Sequence, residues 1–178
     1  MSETPPRWHG PALYLGILAF WGMVAAVGLP RGDFANYWTA ANLWAEGADL
    51  SQLYDYRWFT DQSARLGFGD QLVGFAVLSP PSALMVAPLL PLGLHGAQIA
   101  WMILQGLFAL GIAAVLCRWL RRPLWMGPAL LLAMAPILRT HLEQGQFHLP
   151  VVLLLTLGLW AWTRQQDRWA GISLGLAI

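Results

Sequence analysis

The chain has 178 residues, 57% hydrophobic and only 11% charged, with ten arginines, no lysine and a formal net charge of +1. Soluble domains carry about 25% charged residues, and the apolar residues here are gathered in long runs, so a soluble globular domain is excluded and a polytopic helical membrane protein is expected. The single cysteine, Cys117, excludes an intrachain disulfide and a multi-cysteine metal site, and no nucleic-acid partner is expected.

The first apolar run covers residues 11–29. It is longer than a signal-peptide core and has no small-x-small cleavage site, so it reads as an uncleaved signal anchor. A polar loop follows at 30–74, with six acids (Asp33, Glu46, Asp49, Asp55, Asp61, Asp70) against three arginines (Arg31, Arg57, Arg65). Within it, 36–48 reads as an amphipathic helix. At 100° per residue Tyr37, Trp38, Ala41, Trp44, Ala45 and Ala48 share one face, and Thr39, Asn42 and Glu46 the other. Such a helix lies in the headgroup plane. A second short helix is expected at 55–66. The apolar segment 75–92 is broken by Pro80, Pro81, Pro88 and Pro91, which suits an interfacial or re-entrant piece. Further spans are expected at 97–117, 123–138 and 149–163, with a truncated one at 169–178. A crossing needs about 20 residues, so residues 1–178 are expected to be the N-terminal part of one integral membrane domain. Trp8, Trp119, Trp125, Trp160, Trp162 and Trp169 stand near the ends of apolar runs, where an interfacial aromatic belt places them.

Parity of the spans sets the topology. If 75–92 crosses, the acidic loop and the Arg118, Arg121 and Arg122 cluster share a side, against the positive-inside rule. If it does not cross, Arg7, that cluster, Arg164 and Arg168 are all cytoplasmic. The loop 30–74 and the polar stretch 139–148 then both lie outside. The second arrangement is expected.

Two outer stretches hold groups capable of chemistry. Asp33 follows the first span directly. One reading makes it a helix N-cap; the other makes it a carboxylate at the membrane surface able to take a proton from a hydroxyl. Arg31 beside it is a partner for Asp33 or a phosphate contact. In the second stretch, Arg139 and His141 suit a phosphate. Glu143 and Gln146 suit sugar hydroxyls, and Gly145 permits close backbone approach. An ordinary hydrated turn explains the same composition. His141 and His148 lack a His-Glu-x-x-His pattern or a cysteine partner, so no metal is expected.

Three motifs carry a family resemblance. The first is Gly32-Asp33-Phe34-Ala35-Asn36-Tyr37-Trp38, followed by a small-residue helix that runs to Leu53-Tyr54-Asp55. The second is Ser79-Pro80-Pro81 leading into Pro88-Leu89 and Pro91-Leu92. The third is Leu138-Arg139 followed by Gly145-Gln146. Together they resemble the glycosyltransferase 87 family, membrane enzymes of the GT-C fold that include polyprenyl-phosphate-mannose-dependent α-mannosyltransferases. The resemblance implies an all-α, polytopic transmembrane protein of GT-C type with interfacial helices in the first outer loop. It also implies a plasma-membrane enzyme of bacterial type with its active site on the outer face. The activity implied is inverting transfer of a hexose, expected to be mannose, from a polyprenyl-phosphate-linked donor to a glycan or glycolipid acceptor, with no cofactor. Asp33 would be the catalytic base, and Arg31, Tyr37, Arg139, His141, Glu143 and Gln146 the substrate-binding set. Two positions depart from the family pattern: Ser79 stands where an aromatic residue is usual, and His148 where asparagine often follows the Gly-Gln pair. Sugar and acceptor stay open. The alternatives are a transporter or flippase for a lipid-linked glycan, which would place ionisable groups inside its spans, and a scaffold, which has no reason to bring Asp33 to the 139–148 stretch.

Overall fold

The computed structural model describes residues 9–69, 71, 73–75 and 83–177. Arg7, Trp8, Asp70 and Ser79-Pro80-Pro81 lie outside them. Every regular element among the described residues is helical. The chain divides into two compact units: residues 28–103 with 141–146, and the remainder.

In the remainder, α1 (His9–Val27) is apolar throughout. It packs on the short α5 (Met126–Ala133), where Gly16 lets Pro128 come close. The helix α4 (Gly93–Trp119) contributes its C-terminal part, and Gly106 there accommodates the ring of Trp21. The expected span 123–138 is two helices, α5 and α6 (Ala135–Gln144), meeting at Met134. Proline explains the break: Pro136 has no N–H to continue the ladder and is tolerated in the first turn of the next helix. Helices α7 (His148–Thr163) and α8 (Asp167–Leu176) form a tight hairpin, with Gly158 against Leu174. Arg164 lies 4.5 Å over the Trp160 ring beside the turn. Two described helical stretches are long and apolar enough to cross a bilayer, His9–Val27 and Ala87–Trp119. At 16 residues α7 is apolar but shorter.

The other unit is built around α2 (Gly32–Ala45). This helix starts four residues before the expected 36 and ends three before the expected 48. Its faces also differ from the amphipathic expectation. Residues 34–41 are all buried, Thr39 included, while Trp44 is 53% exposed. The cause is the loop folding back over it. A 3-10 helix (Leu50–Tyr54), α3 (Tyr56–Ser63) and the segment 73–75 supply Leu53, Phe59, Val73 and Phe75 to a core shared with Ala35, Ala40, Ala41 and Leu43. Polar groups pin that segment down. The Gly74 N–H donates to Asn36 Oδ1 at 3.1 Å, and the Thr60 hydroxyl donates to the Val73 carbonyl at 2.9 Å. Buried polar groups need such partners. Of the proline-broken segment, the described part contains a six-residue 3-10 helix, Ala87–Leu92, with Pro88 and Pro91 inside it, and the chain then turns at Gly93 into α4.

Candidate active site

The site is built where the start of α2 meets the end of α6, inside one compact unit. Asp33 is the second residue of α2, not its N-cap; Arg31 holds the cap position and its side chain makes no capping bond. The first helical bond runs from the Ala35 N–H to the Arg31 carbonyl at 3.0 Å. A carboxylate in a first turn faces the positive end of the helix dipole, a stabilising place for it. The Asp33 side chain is half-buried, and no described residue gives it a hydrogen bond or an ion pair. Among the described residues, its hydrogen-bonding capacity is therefore unspent.

The reason α2 starts so early lies far along the chain. The Arg31 N–H donates to the Glu143 carbonyl at 3.3 Å, which satisfies one of the groups a helix start leaves open. Gly32 lies against Gln144, whose Cα is 3.1 Å from where a Cβ would sit and whose side chain would have to move aside. Gly145 ends α6 in the left-handed conformation at φ +69°, and the Gln146 N–H closes the turn on the His141 carbonyl at 3.3 Å. A Cβ at Gly145 would sit 2.7 Å from Phe34 Cβ and 2.8 Å from Pro30 Cβ, so the glycine lets two backbones touch. Its carbonyl accepts the indole N–H of buried Trp101 at 2.9 Å. Trp101 in turn packs on Phe34 and Tyr37, with ring centroids 6.2 and 6.4 Å away. Gln98, one turn earlier on α4, donates through Nε2 to the Pro30 carbonyl at 2.7 Å.

Of the residues singled out from sequence, Asp33, Arg31, Tyr37, His141, Glu143 and Gln146 thus fall in the same compact unit; Arg139, exposed and earlier on α6, belongs to the other. Tyr37 is a buried ring against Trp101. Arg31 forms no ion pair with Asp33, and no described residue engages its guanidinium. Instead it borders a cavity of about 250 Å³ with Gly67, Phe68, Gly69, Gln71, Leu94 and Gln98. Gln98 and Trp101 were not foreseen. The available signal for Gln98 was a glutamine in a mostly apolar helix, but it stands beside the start of the expected span 97–117, where a polar residue is ordinary. Trp101 resembled any tryptophan of an apolar run. No group of three metal-ligating side chains gathers among the described residues.

The start of α2 and the 141–146 stretch therefore converge, which counts against a scaffold. The family model Glycosyltransferase family 87 matches residues 77–178, more than half of the chain. The chain belongs to glycosyltransferase family 87. Membership in this family makes it a transferase that takes a sugar donor and an acceptor, and gives the transporter reading no support. The matched segment contains Gln98, Trp101 and 141–146; the Asp33 motif precedes it. No curated protein and no solved structure matches.

Proposed function

We propose that this family 87 glycosyltransferase moves a hexose, mannose in the first instance, from a polyprenyl-phosphate-linked donor to a glycan or glycolipid acceptor at the outer face of the plasma membrane, with Asp33 as general base. In this reading the acceptor hydroxyl oxygen bonds to the anomeric carbon from the face opposite the phosphate. The carbon–oxygen bond to phosphate breaks, the hydroxyl proton passes to the Asp33 carboxylate, and the polyprenyl phosphate leaves with the bonding pair. The configuration inverts. His141 is the candidate to meet the leaving phosphate, where positive charge and hydrogen-bond donors lower the barrier. Glu143 and Gln146 are the candidates for sugar hydroxyls.

The observation that carries the reading is the Asp33 carboxylate at the head of α2, which no described residue engages, in a chain of a glycosyltransferase family, with the polar end of α6 packed beside it. An aspartate serving only as a cap would have its oxygens on the first-turn N–H groups.

The test is transfer of radiolabelled mannose from polyprenyl-phosphate-mannose in membranes carrying the full chain, wild type against Asp33→Asn. The expected result is transfer by wild type and a loss of about 10²-fold or more in equally abundant Asp33→Asn, the lower range for removal of a general base. Equal transfer by both would move the base to another residue. Transfer by neither would remove this donor from the reading.

A further inference from the structure

The cavity beside Arg31 is a second polar site within the same unit, and the reaction scheme above does not use it. It measures about 250 Å³. That is below the roughly 300–1,000 Å³ of pockets for drug-sized ligands, so it suits a group the size of one sugar ring. Three of its lining side chains bring hydrogen-bonding capacity that no described residue uses. No described residue engages the Arg31 guanidinium or the Gln71 carboxamide. Gln98 is more informative because its amide orientation is decided. The Pro30 carbonyl can only accept, so the atom 2.7 Å from it is the nitrogen, and Oε1 is the remaining end. The residue is 6% exposed, lines the cavity, and has no donor to Oε1 among the described residues.

The combination selects a ligand chemistry. A phosphodiester has no proton to give and its oxygens would be repelled by Gln98 Oε1. A hydroxyl donates to Oε1 and accepts from Arg31 or Gln71. Phe68 and Leu94 supply apolar wall for the C–H face of a ring. We infer that this cavity, lined by Arg31, Gln71 and Gln98 with Phe68 and Leu94, binds a sugar ring of the acceptor, next to the residue that receives the transferred hexose. The acceptor assignment rests on the transferase reading above; the binding of a sugar ring does not.

The experiment separates the two. The full chain in lipid nanodiscs is probed by saturation-transfer NMR with methyl α-D-mannopyranoside and methyl β-D-glucopyranoside, as wild type, Gln71→Ala, Leu94→Trp and Asp33→Asn. Wild type is expected to saturate at least one glycoside. Gln71→Ala should weaken binding about fivefold, the loss of one hydrogen bond, and Leu94→Trp should abolish it by filling the cavity. Asp33→Asn should bind as wild type does, and this remains so even if no transfer is ever detected. No saturation of either glycoside, unchanged binding in Leu94→Trp, or displacement by equimolar dimethyl phosphate overturns the inference. In the transfer assay with an octyl dimannoside as acceptor, whose second ring can fill the cavity, Gln71→Ala should raise the acceptor KM about fivefold and leave the donor KM unchanged. The opposite pattern overturns the acceptor assignment.

Discussion

At the scale of single residues, the site depends on contacts that only one side chain type satisfies. Gly145 is the clearest. Its left-handed backbone and its contact with Phe34 and Pro30 exclude any Cβ. Gly145→Ala should cost roughly 2–4 kcal/mol, combining the left-handed penalty with overpacking, seen as a lower thermal midpoint in detergent and loss of transfer. Trp101→Phe keeps the ring stacking but removes the indole donor, leaving the buried Gly145 carbonyl unpaired. A loss of about 1–3 kcal/mol is expected, and a Trp101→Phe protein as stable as wild type would show that another group takes over that carbonyl. The value of a glycine at 145 was legible beforehand, because a glycine in a polar stretch between spans signals close backbone approach. What it approaches was not legible, since Phe34 and Pro30 lie more than a hundred residues earlier.

At the scale of elements, the loop after α1 is stabilised by short local devices. Asp55 caps α3, accepting from the Arg57 and Trp58 N–H groups at 3.0 and 3.1 Å. Asp55→Ala should lower stability by about 1 kcal/mol, read as earlier proteolytic cleavage of the loop. Asp49 caps the 3-10 helix Leu50–Tyr54 in the same way, and Ser51 donating to it holds its carboxyl below the ordinary value. Because the folded pKa is lowered, its contribution is complete above the unfolded value of about 3.9 and disappears as pH falls through the folded one. The midpoint difference between wild type and Asp49→Ala should therefore be present at neutral pH and vanish in strong acid. The helix α2 shows the opposite dependence. Its early start comes from the Glu143 carbonyl, and residues 34–41 are buried because Leu53, Phe59 and Phe75 cover one side and Trp101 packs on Phe34 and Tyr37. Helical periodicity marked a helix there but misjudged its faces, because periodicity assumes one wet side.

At the scale of the whole molecule, the outer placement proposed for the Asp33 stretch rests on charge asymmetry. With Cys117→Ala as background, Trp44→Cys in intact cells should react with a membrane-impermeant maleimide, and Arg121→Cys only after permeabilisation. Trp44 and Arg121 are both exposed, so accessibility alone does not limit either reaction. Reversed labelling would place Asp33 on the cytoplasmic side and remove an outer-face active site.

Composition and apolar runs alone pointed to a helical chain, and every regular element among the described residues is a helix, because burying backbone polar groups in an apolar solvent leaves few other folds. The short motifs around Asp33, Pro80-Pro81 and Gly145-Gln146 were enough to point to the family. Tertiary structure alone decided that Asp33 is a first-turn carboxylate with no partner among the described residues, that Arg31 turns to a cavity instead of to Asp33, and that Gln98 and Trp101 hold the two stretches in place. The physical reason is sequence separation. Each of these facts depends on a hydrogen bond or a steric contact with a residue dozens of positions away, and no local pattern encodes which distant carbonyl a buried N–H will find.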